Sequence, residues 1–259
     1  MVDAALPLTD IGRALGIGDH GHIALVGGGG KTTLLYALGD QLAGRIVLTT
    51  TTKMGADEDR GRTVLIDPSD EEVVTATAAG PVVALRRVAG GKSIGVDPSR
   101  CDRWFARVDH VVVEADGSRG RPFKAPNDFE PVIPATTTLV VHVIGVDALG
   151  RVIADQCHRP LRVAALAGCR ADRRLAPELA AGVILHERGV LRSVPPSAGF
   201  AVVITKVDRT TAAVADQLAA ELRDREPDLR VVAVAAGDRA SEGRTSLASQ
   251  HDSDAPWST

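Results

Sequence analysis

The hydrophobic positions of this chain fall into short runs that alternate with segments of helical spacing. Apolar, β-branched runs of the kind that form buried strands occupy residues 23–26, 45–52, 63–66, 82–86, 109–116, 137–144, 200–208 and 230–235. The clearest helical spacing follows the first run, where Leu34, Leu35, Leu38 and Leu42 share one face and Gly44 is a stop signal. Strands that alternate with helices predict an α/β fold with a mostly parallel sheet.

We predict a single three-layer α/β domain over residues 1–240, with a helical insertion at about 155–197. From Ser241 onward the composition is dominated by Ser, Asp, Thr and Gly. A segment with so few residues to bury is expected to be disordered, so residues 241–259 are predicted to form a flexible tail.

Composition narrows the class of protein. Hydrophobic residues make up 44% of the 259 residues but aromatic residues only 3%, so the core must consist of Val, Leu, Ile and Ala, which favours an α/β fold. The net charge of −3 provides no general basic field for nucleic acid. Three scattered cysteines indicate a reducing compartment. Without a signal-peptide pattern or a long uncharged apolar stretch, we expect a cytoplasmic protein with no membrane partner.

The most informative stretch joins the first strand to the first long helix. It consists of four glycines and three polar residues: Gly27, Gly28, Gly29, Gly30, Lys31, Thr32 and Thr33. A strand, a glycine turn, Lys-Thr and a helix form the arrangement of a phosphate-binding loop. Glycines let backbone N–H groups converge on an anion, and the helix N-terminus adds partial positive charge. We predict that Lys31 contacts the outer phosphates and that the Thr32 hydroxyl holds Mg²⁺.

The spacing of this loop departs from the full Walker A pattern. That pattern, G-x-x-x-x-G-K-[ST], requires glycine at position 25, where this chain has Leu25. The motif present, Gly27 to Thr32, is the shorter G-x-x-G-K-T and resembles the loop of ATP-dependent Mur-type ligases. A glycine-rich turn that only joins a strand to a helix is the alternative.

Four threonines and a lysine end the second strand, at 49–53. In open parallel sheets ligands bind at the carboxyl ends of the strands. Thr51 or Thr52 is therefore a candidate contact for phosphate, metal or the attacking water, and Lys53 a candidate cation for phosphate or substrate. Threonine is also simply a good strand former, so both interpretations stay open.

A valine strand that ends in two carboxylates, Glu114 and Asp116, resembles a Walker B element. Residues two apart in a strand point the same way, and a cation is the usual reason to keep two carboxylates together. We predict that Glu114 binds Mg²⁺ with Thr32, and that Asp116 is a second carboxylate or orients the attacking water. Two solvated loop acids are the alternative.

The loop that follows, at 117–126, contains three cations, Arg119, Arg121 and Lys124, among glycines and prolines. Such a loop is expected at the mouth of the site. Its cations either bind an anionic substrate and stabilise transition-state charge, with Arg119 in a catalytic position, or only neutralise the adjacent carboxylates.

A third motif, Thr205-Lys206-Val207-Asp208, ends the strand at 200–208. It resembles the [NT]KxD element with which GTPases read the base. A carboxylate such as Asp208 accepts from the N1–H and the 2-amino group of guanine, and adenine has neither donor. The stem of Lys206 is expected to lie over the base.

Two further stretches are given structural interpretations. Cys157 and His158 are adjacent, with no second Cys/His pair at zinc spacing, and a helix start is favoured over a thiol or soft-ligand role. Gly90-Gly91-Lys92 is interpreted as a turn.

Taken together, these segments resemble the YqeC family, accessory proteins for selenium-dependent molybdenum hydroxylases. The resemblance is carried by Val-Gly-Gly-Gly-Gly-Lys-Thr-Thr, by Thr-Thr-Thr-Thr-Lys-Met, by the segment at 113–126, by Cys-His-Arg-Pro, and by a Val-Pro segment before the last Lys-Val-Asp. It runs from about residue 5 to 238, and the segment at 114–126 is its most specific part. It implies a P-loop nucleotide-binding protein that serves maturation of a selenium- or molybdenum-containing hydroxylase cofactor, with the hydroxylase or a cofactor-assembly protein as partner.

The sequence therefore predicts Mg²⁺-dependent hydrolysis of, or transfer from, a purine nucleoside triphosphate, with GTP favoured and ATP the alternative. Two other functions stay open. One is an ATP-dependent ligase or kinase that activates a small acid, and the other is a non-catalytic, nucleotide-gated chaperone of the target hydroxylase.

Overall fold

A computed structural model describes residues 5–55 and 61–236 of the chain. Its strands are β1 (Gly21–Gly27), β2 (Ile46–Thr50), β3 (Lys53–Gly55), β4 (Thr63–Ile66), β5 (Val82–Leu85), β6 (Arg87–Ala89), β7 (Lys92–Ile94), β8 (His110–Glu114), β9 (Phe123–Lys124), β10 (Leu139–Gly145), β11 (Cys157–His158), β12 (Gly199–Val207) and β13 (Arg230–Ala235). Its α-helices are α1 (Ile11–Ala14), α2 (Lys31–Gln41), α3 (Asp70–Ala76), α4 (Pro98–Phe105), α5 (Ile153–Gln156), α6 (Pro160–Leu166), α7 (Pro177–Ile184) and α8 (Ala212–Arg225). The predicted tail at 241–259 lies outside the described residues.

The core of the fold is a sheet of eight strands within this described part, in the order β13-β12-β10-β1-β8-β2-β5-β4. All of its neighbouring strands run parallel. Strand β1 lies between β8 and β10, with Leu25 opposite Glu114 on one side and Val141 on the other. Because the strands are parallel, the segments that follow them meet at one edge of the sheet, where open α/β proteins bind ligands.

Helices cover both faces of this sheet, because apolar residues alternate between the faces along each strand. Leu25 belongs to an apolar cluster with α1 and α2. Its neighbour Val26 points the other way, into a cluster with Trp104 of α4. The predicted three-layer α/β fold is confirmed, and the central sheet is wholly parallel.

The helical segment between β10 and β12, predicted at about 155–197, contains α5, α6 and α7. Its apolar residues pack with α8 and with the inner residues of β12 in one buried cluster, for example Ile153, Val183, Ile204 and Leu218. The segment therefore completes one helical layer of the fold. Within residues 5–55 and 61–236, no helix is both long enough and apolar enough to cross a bilayer.

A small antiparallel sheet, β3-β7-β6, stands at the carboxyl edge of the central sheet. Its hairpin turns at Gly90 and Gly91, whose φ angles of 57° and 66° require glycine in a tight hairpin. The predicted turn is thus correct, but the short strands on either side of it were not predicted. Two backbone hydrogen bonds hold the small sheet where its strands leave the central sheet: Gly95 N–H donates to the Thr52 carbonyl at 2.7 Å, and Arg86 N–H donates to the Ile94 carbonyl at 3.0 Å.

Candidate functional site

The turn between β1 and α2, residues 27–33, is here called the glycine loop. Gly27, Gly29 and Gly30 have φ angles of 94°, 82° and 122°, which disfavour any residue with a Cβ atom. Gly28 lies directly against the backbone of Arg121, so a side chain there would collide with it. The glycines are therefore required by the path of the loop and by its close contact with the segment at 121–123.

The N–H groups of the glycine loop divide into two sets. Gly28 donates to the Val143 carbonyl at 2.8 Å and Gly29 to the Arg121 carbonyl at 3.2 Å, which anchors the loop. The next four N–H groups, of residues 30–33, have no acceptor within the described part of the chain, and the first helical bond is made by Leu34. Unpaired N–H groups at the start of an 11-residue helix favour an anion.

Lys31 lies under the loop, with its side chain 3% exposed. Its Nζ donates to the Gly27 carbonyl at 2.7 Å. Two carboxylates flank it, Asp116 at 3.3 Å and Glu114 at 3.7 Å. The two acids therefore do converge on a cation, as the spacing of the strand indicated, and in this structure that cation is the lysine ammonium.

Glu114 also contacts the loop through Thr32, whose hydroxyl donates to Glu114 Oε2 at 2.8 Å. Glu114 ends β8 and Thr32 lies in the first turn of α2, so the bond joins two neighbouring elements of the fold at their common edge. A hydroxyl and a carboxylate oxygen placed together are the kind of oxygen ligands that Mg²⁺ takes. The residues predicted to hold the metal are thus in contact with each other.

Asp116 has a different position from the one expected. It is 2% exposed, accepts from the Gly27 N–H at 3.1 and 3.0 Å, and pairs with Lys124 at 3.0 Å. These bonds hold the start of the glycine loop from below and leave Asp116 out of the cleft lining. The geometry of Asp116 therefore does not support the prediction that this residue orients the attacking water. Asp116 instead positions the glycine loop and Lys31.

Lys124 is likewise not at the mouth of the site: its burial argues against a contact with substrate, and its pairing with Asp116 fits the alternative that the cations of this loop neutralise the adjacent carboxylates. The side chain is 1% exposed and donates to the Gly117 carbonyl at 2.7 Å and to Glu130 at 2.8 Å. Arg159 holds the other side of Glu130 at 2.7 and 3.0 Å. Burial alone would raise the pKa of Glu130, but the bonds and charges of Arg159 and Lys124 outweigh it and lower the pKa to about 2.

The two arginines of the same loop separate. Arg119 is exposed and lines the cleft. The guanidinium of Arg121 donates to the Asp155 carbonyl and does not line the cleft, which corrects its predicted substrate role. Its backbone carbonyl instead supports the glycine loop. Thr51 lines the cleft, but its hydroxyl donates to the Val132 carbonyl at 2.7 Å.

The Thr205–Asp208 motif lies at the same edge of the sheet as the glycine loop. The Thr205 hydroxyl donates to the Gly29 carbonyl, which attaches β12 directly to the loop. Lys206 lines the cleft and pairs with Asp147 at 2.8 Å, whereas Asp208, on the exposed turn beyond it, is not among the cleft-lining residues. Asp208 accepts at Oδ1 from the N–H groups and hydroxyls of Thr210 and Thr211. The hydroxyl bonds hold the pKa of Asp208 below its usual value, so it is an ionised acceptor.

The cleft around the loop has a volume of about 1450 Å³ and a wall that the sequence did not reveal. The small sheet contributes Lys53 and Lys92 to this wall, and Arg86 and Arg100 lie beside them. His158 and Arg159 line another part. Only Lys53 was predicted. The pattern available in the sequence was a series of basic residues around the Gly90-Gly91 turn.

Cys157 and His158 were predicted at a helix start, but they form the short strand β11 just ahead of α6. Cys157 pairs with Phe123 between β11 and β9 and is 4% exposed, and burial raises the pKa of its thiol to about 12. Burial also lowers the pKa of His158 to about 4, with the nearby Arg159, Lys124 and Arg119 adding to the effect. Helix α6 starts two residues later, at Pro160.

The parallel sheet, the flanking helices and the glycine loop between β1 and α2 define a protein with a P-loop NTPase-like α/β fold. The model of the family described as "YqeC protein" matches residues 23–161. The chain is also 33% identical over 183 residues to a protein of Escherichia coli (strain K12) described as "Uncharacterized protein YqeC", and the match covers 67% of this chain and 71% of that relative. The chain belongs to the YqeC family.

Proposed function

We propose that this protein binds a purine nucleoside triphosphate together with Mg²⁺ at the glycine loop and hydrolyses it, with GTP favoured over ATP. The observation that carries the proposal is the bond of 2.8 Å between Thr32 and Glu114, next to four N–H groups without an acceptor in the described residues. Paired oxygen ligands beside an anion-binding helix start are what a metal-bound triphosphate requires.

Each residue of the site has a distinct task in this proposal. The N–H groups at 30–33 bind the β- and γ-phosphate oxygens. Lys31 lies next to them and supplies positive charge where the transition state gains negative charge. Thr32 and Glu114 would hold Mg²⁺, which supplies neutralisation of the β- and γ-phosphate oxygens when bound. Asp116 keeps Lys31 and Gly27 in place, and Arg119, an exposed residue of the cleft lining, supplies a further positive charge to the phosphates.

Recognition of guanine rests on the segment after β12. The Thr205 hydroxyl is bonded to the Gly29 carbonyl, so the next residue, Lys206, lies close to the glycine loop. We therefore assign a base that lies against Lys206 to the nucleotide whose phosphates bind the loop. Asp208 is ionised, and Oδ2 is not engaged by the turn that occupies Oδ1. An acceptor of this kind pairs with the donors of guanine, and adenine has no matching donors.

We propose further that this reaction serves maturation of a selenium/molybdenum hydroxylase cofactor, with the hydroxylase or an assembly protein as the partner. The role in cofactor maturation is supported by the resemblance of the chain to the YqeC family, above all in the segment at 114–126. Its direct test is co-purification of the target hydroxylase with the protein in the presence and absence of nucleotide.

The Thr32→Val variant tests the metal site. Valine keeps the shape of threonine but has no oxygen to bind Mg²⁺ and no hydroxyl to donate to Glu114. We therefore expect the affinity for GTP in the presence of Mg²⁺ to fall by about tenfold or more. The affinity for GTP in EDTA should be unchanged. Isothermal titration calorimetry measures both. Thr75→Val is the matched control, since Thr75 is exposed in α3, does not line the cleft, and its hydroxyl makes no bond within the described residues. Equal behaviour of the two variants would contradict the assignment.

The Asp208→Asn variant tests recognition of the base. Asparagine retains an oxygen for the turn with Thr210 and Thr211 but replaces the acceptor facing guanine by a donor. We expect the affinity for GTP to fall by about 10–100-fold and the affinity for ATP to stay the same, as measured by calorimetry. Asp228→Asn, at another exposed carboxylate, is the control. An equal loss for both nucleotides would show that Asp208 only shapes the turn.

A further inference from the structure

The cleft is larger than a nucleotide alone requires. Its volume is about 1450 Å³, whereas sites for a single small ligand typically measure about 300–1,000 Å³. The glycine loop lines one part of it, and the small sheet of β3, β6 and β7 lines another. A triphosphate bound at the loop therefore leaves space along the small sheet.

The small sheet presents one fixed face to this space. Strand pairing places Lys53 opposite Ile94 and Gly55 opposite Lys92, so these four residues share a face, and all four line the cleft. The residues between them, Met54 and Ser93, lie on the opposite face by strand alternation and are 4% and 2% exposed, and Met54 also borders the cleft. Because Met54 packs in the core on that face, β3 cannot turn Lys53 away from the cleft without losing this packing, whereas Val88, on the same face in β6, is 51% exposed.

The charges on this wall are unbalanced. Lys53, Arg86, Lys92 and Arg119 are exposed cations from separate parts of the chain, and none has an ion-pair or hydrogen-bond partner within residues 5–55 and 61–236. Fewer carboxylates line the cleft, and most of them already face a cation: Asp67 pairs with Arg100, Glu114 lies 3.7 Å from Lys31, and Glu130 pairs with Lys124 and Arg159. Asp97 is exposed; its bonds with Ser99 and, less strongly, the charges of Arg103 and Arg86 hold its pKa below the usual value. A positive wall in a chain of net charge −3 attracts anions locally.

We propose that this wall is a second binding site, for a small molecule that carries a phosphate monoester, and that this molecule binds in the cleft beside the nucleotide. Lys53 and Lys92 hold the phosphate from the small sheet. Arg86 approaches it from the neighbouring segment, and arginine matches phosphate with two parallel N–H···O bonds. The inference rests on the proposed nucleotide site, because it assigns the nucleotide to the other part of the cleft.

The test is calorimetric titration of ribose 5-phosphate into the protein saturated with Mg²⁺ and a non-hydrolysable GTP analogue. We expect binding of ribose 5-phosphate, no binding of ribose, and weaker binding of malate, a dicarboxylate. The Lys53→Gln/Lys92→Gln double variant should bind ribose 5-phosphate about tenfold or more weakly and the GTP analogue as tightly as wild type. Arg173→Gln/Arg188→Gln removes the same charge from exposed sites outside the cleft and should change neither affinity.

The two proposals fail separately in this experiment. If the GTP analogue binds but ribose 5-phosphate does not, or if malate binds equally well, the phosphate site is overturned and the nucleotide site stands. If the GTP analogue does not bind, the proposed function fails, and titration of ribose 5-phosphate into the free protein and the Lys53→Gln/Lys92→Gln variant still tests the wall. Equal affinity of the wild type and that variant for ribose 5-phosphate overturns it in either case.

Discussion

Replacing Lys31 with methionine is expected to slow GTP hydrolysis by about 10²–10³-fold, the loss that follows removal of one preorganised donor to transition-state charge. Lys31 is positioned for this role before any ligand binds. Its Nζ is fixed by the Gly27 carbonyl at 2.7 Å and by Asp116 at 3.3 Å, inside a buried environment that strengthens its field. The measurement is release of inorganic phosphate under saturating GTP and Mg²⁺.

A loss of stability must be separated from this loss of catalysis, because Lys31 also neutralises two buried carboxylates. Lys124→Met is the matched control. Like Lys31, Lys124 places a buried ammonium beside Asp116, at 3.0 Å for Lys124 and 3.3 Å for Lys31, but Lys124 does not line the cleft. At a temperature where both variants are folded, Lys124→Met should hydrolyse GTP within about tenfold of wild type. Equal losses in the two variants would show that Lys31 acts only through the stability of the loop.

The parts of the site that sequence analysis could predict are those that local rules determine. The glycine loop follows from backbone chemistry, since positive φ angles at Gly27, Gly29 and Gly30 leave little choice of residue. The meeting of Glu114 with Thr32 follows from topology, because parallel strands end at one edge and β8 is the neighbour of β1. Neither inference requires knowledge of which side chains become buried.

The errors concern side chains whose environment is set by distant segments. Alternation along a strand placed Glu114 and Asp116 on one side, but it could not show that Lys31 and Lys124 would lie beside Asp116. Lys124 sits in a loop rich in Gly and Pro, which indicates exposure, yet Glu130 and the Gly117 carbonyl draw it into the interior. Burial of a charged group depends on partners that no local pattern identifies.

The small sheet was missed for a different reason. Strands β3, β6 and β7 have three residues each, too few to show an alternating pattern. Their positions became clear only from pairing across the sequence, with Gly55 opposite Lys92 and Ala89 on the far side. The cations of the cleft wall are thus close in space because of a tertiary arrangement, while in the sequence they look like ordinary surface charges.

Lys124→Met is also expected to lower stability by about 3–5 kcal/mol, because it removes a buried ammonium from Asp116 and Glu130 together, which keep only Lys31 and Arg159 as cation partners. For a domain of this size that corresponds to a fall in Tm of about 6–20 °C. Lys206→Met provides the contrast. The Lys206–Asp147 ion pair is as short as the Lys124–Glu130 pair, at 2.8 Å, but both of its side chains are nearly half exposed. Exposed pairs of this kind contribute only about 0–1 kcal/mol. Chemical denaturation measures both.

The pH dependence of stability gives a second test of the same network. The pKa of Glu130 is held at about 2 in the folded protein, below its ordinary value of 4.5, because the bonds and charges of Arg159 and Lys124 outweigh the effect of burial. A depressed pKa contributes stability that is present above the unfolded value and is lost as the pH falls toward the folded value. The wild type should therefore lose stability between about pH 4.5 and pH 2. In Lys124→Met this slope should be shallower, because only Arg159 still holds the carboxylate. An unchanged slope would show that Lys124 does not stabilise the ionised form of Glu130.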